Sequence, residues 1–304
     1  MKIGLVGIGK IARDQHVPAL AANDRWELAA TASRNGTIAG VEAHKSVQEL
    51  LAARPDIAAI SLCTPPEGRF EQAMAVLAAG RHLMLEKPPT TDVAEAEALA
   101  REALARGVTL FATWHSREAA AVDTAQAWLA GRRVSAVRIR WKENIRQWHP
   151  GQDWILAAGG FGVFDPGINA LSIATQILPV AWRVDSARLS VPANRESPIA
   201  AVITFDAGGV PVDAEFDFLQ TGQQTWDIEA DTDAGTMVLR DGGSRLELPD
   251  GHVTAGPNAE YPRLYQRFAD LIERGESDVD LRPLQLVTDA LAMGEVETVA
   301  AFDF

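Results

Sequence analysis

Residues 2 to 12 read KIGLVGIGKIA, and this stretch decides the fold. An apolar run of strand length ends in Gly7, Gly9 and Ala12, a G-x-G-x-x-A motif, and helical composition begins at once. Gly7 permits a tight turn, Gly9 lets a pyrophosphate approach the backbone, and the small Ala12 allows the helix to pack close to the strand. The helix start at Lys10 and Ile11 then offers unpaired N–H groups and a positive dipole end to an anion. Such a motif is weak alone. It gains weight only inside a βαβ unit.

The following residues supply that unit. Apolar stretches of strand length recur at 26 to 33 (WELAATAS), 57 to 64 (IAAISLCT), 82 to 87 (HLMLEK) and 108 to 114 (VTLFATW). Between them RFEQAMAVLAAG and DVAEAEALAREALARG have helical composition and close on glycine, the usual helix stop. Near-continuous apolar strands alternating with helices predict an α/β domain, a Rossmann-type parallel sheet covered on both faces, over residues 1–118. After Glu118 the period changes. VRIRWK (137 to 142) and DAEFDFL (213 to 219) alternate apolar and charged side chains, which predicts a mostly antiparallel open sheet with one wet face. Residues 119–304 are therefore expected to form a C-terminal α+β domain. Its covering helices are expected at 166 to 178, 261 to 275, and from Pro283 to about Ala300.

Composition excludes several classes. A net charge of −13 offers no basic footprint for nucleic acid. Cys63 is the only cysteine, so there is no internal disulfide and no thiolate cluster, and it reads as a small buried hydrophobe. The six histidines are scattered, and no metal is expected. No apolar run has membrane-spanning length, and Lys10 and Arg13 interrupt any signal-like start, so a cytoplasmic location is expected. Oligomeric state is left open, a homo-oligomer included.

The second strand ends in Ser33-Arg34-Asn35, where an NAD enzyme usually carries an acidic residue for the ribose hydroxyls. A guanidinium there suits a 2'-phosphate, which favours NADP, with NAD use still allowed. Thr64 and Pro65 close the third of these strands, where such sheets bind ligands, and join the expected cofactor contacts. The next strand ends in Glu86-Lys87-Pro88-Pro89. The prolines stop a regular ladder and hold Lys87 in extended geometry at the same crevice.

At this point the sequence resembles the Gfo/Idh/MocA oxidoreductases, whose members carry the glycine motif, a Glu-Lys-Pro at this strand end and a C-terminal α/β domain. GIGKIARDQH, MLEKPP, LFATWHSR, WKE, WHPGQ and GVFDPGINALSI extend the likeness along the chain and resemble the subgroup that oxidises L-arabinose and D-galactose at carbon 1. The resemblance implies that Glu86 and Lys87 border the nicotinamide and that Lys87 lies near the reacting hydroxyl. Asp165, read as a helix N-cap before Pro166, and Asn169, four residues on, share one helix face. In much of the family the second position is a histidine acid/base. An amide cannot take a proton at neutral pH, so the acceptor is Asp165 or a neutral Lys87. An anomeric hydroxyl is acidic enough to tolerate the loss of the imidazole, which points to oxidation of an aldopyranose to its lactone. Trp114, His115, Glu143, Trp148, His149, Trp154 and Trp226 are candidate sugar contacts, Glu143 and His149 foremost because the resemblance places their segment at the substrate. Oxidation at another ring carbon of a sugar or cyclitol, or a non-catalytic sugar or dinucleotide sensor, stays open at this stage.

Overall fold

The computed structural model describes all 304 residues. They form two compact units, Met1–His115 with Ala259–Leu281, and Ser116–Asn258 with Arg282–Phe304. None of the helices is long and apolar enough to cross a membrane.

In the first unit β1 (Lys2–Val6), β2 (Glu27–Ala32), β3 (Glu42–His44), β4 (Ala59–Leu62), β5 (His82–Leu85) and β6 (Leu110–Ala112) form one sheet in the order β3-β2-β1-β4-β5-β6. Every neighbouring pair is parallel. The order reverses at β1 and β4, and ligands of such sheets bind beyond the carboxyl ends of the strands at that point. The one strand sequence reasoning misses is β3, whose three residues at the sheet edge are too few to show a period. Helices Val47–Ala53, Arg69–Ala78 and Val93–Arg106 bury Leu50, Val76, Leu77 and Leu99 against one face. The last of them is capped by Asp92 and stopped by a left-handed Gly107.

The opposite face corrects an expectation. Right-handed crossovers place those three helices on one side, and the helical stretch formed by Ala12–His16 and Val17–Ala21 covers only part of the other. The helix Glu260–Arg274, expected over the antiparallel sheet, fills the gap. Its Tyr261, Leu264, Tyr265 and Phe268 pack with Ile3, Trp26, Met84 and Phe111. Each such burial stabilises by about 1.5–3 kcal/mol relative to exposure. An amphipathic stripe specifies an apolar partner without specifying which one, so the chain's return to the first unit was not legible in its period.

In the second unit β7 (Val134–Lys142), β8 (Trp182–Pro192), β9 (Ala200–Ala207), β10 (Val210–Asp217), β11 (Thr225–Thr232), β12 (Gly235–Arg240), β13 (Arg245–Glu247), β14 (Val253–Ala255) and β15 (Glu295–Val299) form one sheet in the order β14-β13-β12-β11-β7-β10-β9-β8-β15. Most pairs are antiparallel; β10 with β7 and β15 with β8 are parallel. Val137, Ile139 and Trp141 point to the helix-covered side, and Arg138, Arg140 and Lys142 alternate onto the other, where they pair with Glu229, Asp231 and Glu215. The helix expected from Pro283 to about Ala300 ends at Met293. After Gly294 the alternating, β-branched Glu-Val-Glu-Thr-Val becomes β15, as its composition favours.

Candidate active site

At the carboxyl ends of β1 and β4 the glycine motif has the shape its residues predict. Gly7 has φ +89°, and a Cβ there would lie 2.7 Å from the Thr64 nitrogen and 2.8 Å from the Cys63 carbonyl carbon. Only glycine fits this turn. A Cβ on Gly9 would meet nothing within 4 Å, so the backbone faces open space where a pyrophosphate would lie. Ala12 is fully buried. The helix begins at Lys10, whose ammonium pairs with Asp14, and Ile11 stays exposed. Beyond β2 the Ser33 hydroxyl accepts the Gly36 N–H at 3.2 Å, and the Arg34 side chain is exposed. Thr64 and Pro65 leave β4 at the switch point. These residues fit a bound dinucleotide.

Lys87 is half-buried just past β5, and its surroundings fix the backbone that carries it. The buried Arg69 guanidinium donates to the carbonyls of Thr64, Glu86 and Pro88, bridging the ends of β4 and β5. Glu86, expected to touch the cofactor, turns its side chain inward. Its Oε1 accepts from His16 Nε2 at 2.9 Å and from the Tyr261 hydroxyl at 2.6 Å, while Oε2 accepts the Lys87 backbone N–H at 3.0 Å. A buried carboxylate is stable only when its lone pairs are satisfied, and these donors come from inside the unit.

His16 is fully buried, 2.7 Å by Nδ1 from the Tyr265 hydroxyl, which in turn donates to Ser61. Burial lowers its pKa, but the acidic groups around it, Cys63, Tyr265 and Glu86, outweigh this and raise it well above the ordinary value. Burial likewise opposes ionisation of Glu86, yet His16, His115 and the Tyr261 hydroxyl hold its carboxyl well below the usual range. The two form a buried ion pair beneath Lys87. Cys63, read as a plain hydrophobe, places its thiol 3.4 Å from His16 Nε2. Arg69, His16, Tyr261 and Tyr265 escaped sequence reasoning. The only signal was the histidine closing GIGKIARDQH, and its partners lie up to 249 residues away. His115 pairs by Nδ1 with Glu260 at 2.6 Å and stacks on Tyr261, whereas Trp114 is a core residue whose indole N–H donates to the Asp280 carbonyl at 2.8 Å.

In the second unit five expected residues come together. The helix Phe164–Ile177 starts two residues earlier than predicted, so Asp165 stands in its first turn and Val163 holds the cap position. The approach is tight. Gly162 has φ +55°, and a Cβ there would sit 2.2 Å from the Pro198 carbonyl oxygen. Asp165 is buried, and one of its oxygens lies 4.0 Å from His149 Nδ1. His149 Nε2 is 2.8 Å from Glu143 Oε1, and Glu143 Oε2 accepts the Trp226 indole N–H at 2.9 Å. Trp148 meets Trp226 edge to face and remains 39% exposed. Asn169 lies one turn beyond Asp165, half-buried, its carbonyl accepting from Ser172. Trp154 is exposed and makes no ring contact with this group. Carboxylates, an imidazole and flat apolar indole faces in one place can bind a polyol by both its hydroxyls and its C–H faces.

A parallel sheet with a glycine cradle, a lysine at a neighbouring strand end and a second α+β unit define a dinucleotide-dependent oxidoreductase. Residues 1–113 match a family described as an oxidoreductase family with an NAD-binding Rossmann fold. Over 99% of its length the chain is 43% identical to a galactose 1-dehydrogenase of Pseudomonas fluorescens, covering 98% of that protein. The crystal structure of a D-galactose-1-dehydrogenase from Rhizobium etli matches with TM-score 0.96 and 51% identity, covering 99% of this chain and 97% of that one. A 3-ketoreductase from Actinomadura kijaniata, solved with NADP, shares the fold at TM-score 0.84 and 20% identity, covering 98% of this chain and 99% of that one. The protein belongs to the Gfo/Idh/MocA oxidoreductase family.

Proposed function

We propose that the enzyme oxidises an aldopyranose, D-galactose or L-arabinose, at the anomeric carbon to its lactone. The observation that carries this reading is the cluster of Asp165, His149, Glu143, Trp148 and Trp226, in a chain similar over its whole length to two proteins named as galactose 1-dehydrogenases. A bound dinucleotide supplies the hydride acceptor. The Lys87 ammonium polarises the anomeric hydroxyl, Asp165 takes its proton, and Asn169, which cannot take one, holds substrate by its amide. The Trp148 and Trp226 rings offer faces to the sugar, and His115 and His149 offer polar edges. Glu143 accepts from His149 and Trp226, one on each oxygen, and each oxygen keeps acceptor capacity for a sugar hydroxyl.

L-Arabinopyranose is D-galactopyranose without the exocyclic hydroxymethyl group, so a pocket that reads the ring hydroxyls accepts both. D-Glucose has an equatorial 4-hydroxyl and leaves a buried polar group unpaired, at a cost of about 1–3 kcal/mol. In a panel of aldoses assayed by dinucleotide reduction, kcat/KM for D-galactose and L-arabinose should exceed that for D-glucose by about tenfold to a hundredfold. D-Glucose or myo-inositol as the best substrate would refute the reading.

We further propose that the cofactor is NADP, with NAD also accepted, because the exposed Arg34 occupies the position of the usual ribose-binding carboxylate. Charge-assisted hydrogen bonds contribute about 1.5–3 kcal/mol, so Arg34→Ala should weaken NADP binding about tenfold to a hundredfold and spare NAD. Titration of both cofactors by fluorescence checks this, and equal losses would exclude the assignment.

A further inference from the structure

His149 lies between two carboxylates of different elements. Its Nε2 lies 2.8 Å from Glu143 at the end of β7, and its Nδ1 lies 4.0 Å from Asp165 in the helix Phe164–Ile177. The Phe218 ring meets it edge to face, and the neighbouring charges Lys142 and Glu215 pair with each other on the opposite side of the sheet. Glu143 is itself buried and anchored by Trp226, so it holds the ring in a set orientation. With Nε2–H donated to Glu143, the neutral ring turns the Nδ1 lone pair toward Asp165.

We propose that His149 relays the substrate proton away from Asp165, replacing the imidazole that Asn169 does not provide. This rests on the reading of Asp165 as proton acceptor. In the first step the anomeric O–H bond breaks and a carboxyl O–H bond forms on Asp165, while the oxygen's electron pair becomes the C=O π bond as hydride leaves carbon 1 for the bound dinucleotide. In the second step the Asp165 O–H bond breaks and an N–H bond forms at His149 Nδ1. The result is an imidazolium between two carboxylates and a regenerated Asp165. Its proton then passes to water. One water bridges the 4.0 Å gap while Glu143 keeps the ring in place, and catalytic hydrogen bonds are commonly long before substrate binds. The arrangement gives a role to the contacts of buried Glu143 with His149 and Trp226.

Two measurements on the full chain test the relay. The first needs no sugar: the ring nitrogen resonances of His149 are compared by NMR in the wild type, in Glu143→Gln and in Asp165→Asn. Each substitution replaces a group that faces one ring nitrogen, so Glu143→Gln should move the Nε2 resonance and Asp165→Asn the Nδ1 resonance. An unmoved Nδ1 resonance in Asp165→Asn would overturn the coupling. The second is kinetic, with D-galactose. His149→Gln should lower kcat by about tenfold or more, a larger effect than the change in KM from the lost sugar contact, and added imidazole should restore part of the rate. A raised KM with kcat intact makes His149 a sugar contact only and overturns the relay. Should the wild type fail to oxidise D-galactose, the functional reading falls, and the NMR comparison still judges the coupling of His149 to Asp165.

Discussion

Under the proposed roles, Lys87→Ala and Asp165→Asn should each lower kcat for D-galactose by about 10²- to 10⁴-fold, the range expected when a positioned acid/base group is removed, while dinucleotide binding should survive. The basis is local in each unit. Lys87 is carried by a backbone segment that Arg69 clamps at Glu86 and Pro88, so its position does not depend on bound substrate. Asp165 is buried in the first turn of a helix, which holds its carboxyl group in a set position. Steady-state rates with matched fluorescence titrations of the dinucleotide separate the effects. Near-normal turnover in a folded variant would make that residue structural.

Glu86→Gln or His16→Leu should destabilise the fold by about 3–5 kcal/mol, because removing one member of a buried ion pair leaves the other charged and unpaired. Replacing both by leucine should recover much of the loss, since well-packed apolar residues often match a buried pair. Urea unfolding of the two single variants and the double variant measures this; additive losses would contradict it. The pH dependence follows from the two shifts. Glu86 ionises below its unfolded value of 4.5, so its contribution is present above that pH and is lost as pH falls through the depressed folded value. His16 has its pKa raised above 6.5, so its contribution is complete below that pH and is lost as pH rises through the raised value. The pair therefore contributes fully between 4.5 and 6.5, and the gap between wild type and Glu86→Gln should narrow on either side of that window. Glu86→Gln should also lower kcat, because the Lys87 N–H loses a charged acceptor.

Much of this molecule was legible along the chain. Five of the six strands of the first sheet follow from apolar runs bounded by helices, and the turn at Gly7 follows from a residue type that alone tolerates its geometry. The alternation in β7 and β10 announced a sheet with one wet face. Motif and resemblance single out Lys87, Asp165, Asn169 and the aromatic and acidic residues near Trp148 as candidates, because chemistry at a site restricts residue type.

What the chain did not reveal is who meets whom. Periodicity tells which face of the helix Glu260–Arg274 is buried, but either sheet could have covered it, and the gap left by the crossovers of the first sheet decided. That return brings Tyr261 and Tyr265 to His16 and Glu86, and so turns a glutamate expected at the cofactor into half of an internal ion pair. In the second unit the spacing of Glu143 and His149 on the chain is short, yet only the packing of the helix Phe164–Ile177 brings Asp165 to the far side of the same ring. Local sequence sets the conformational preferences and the residue types. The pairing of distant polar groups depends on topology, because a buried charge is stable beside any matching partner and the path of the chain determines which partner arrives.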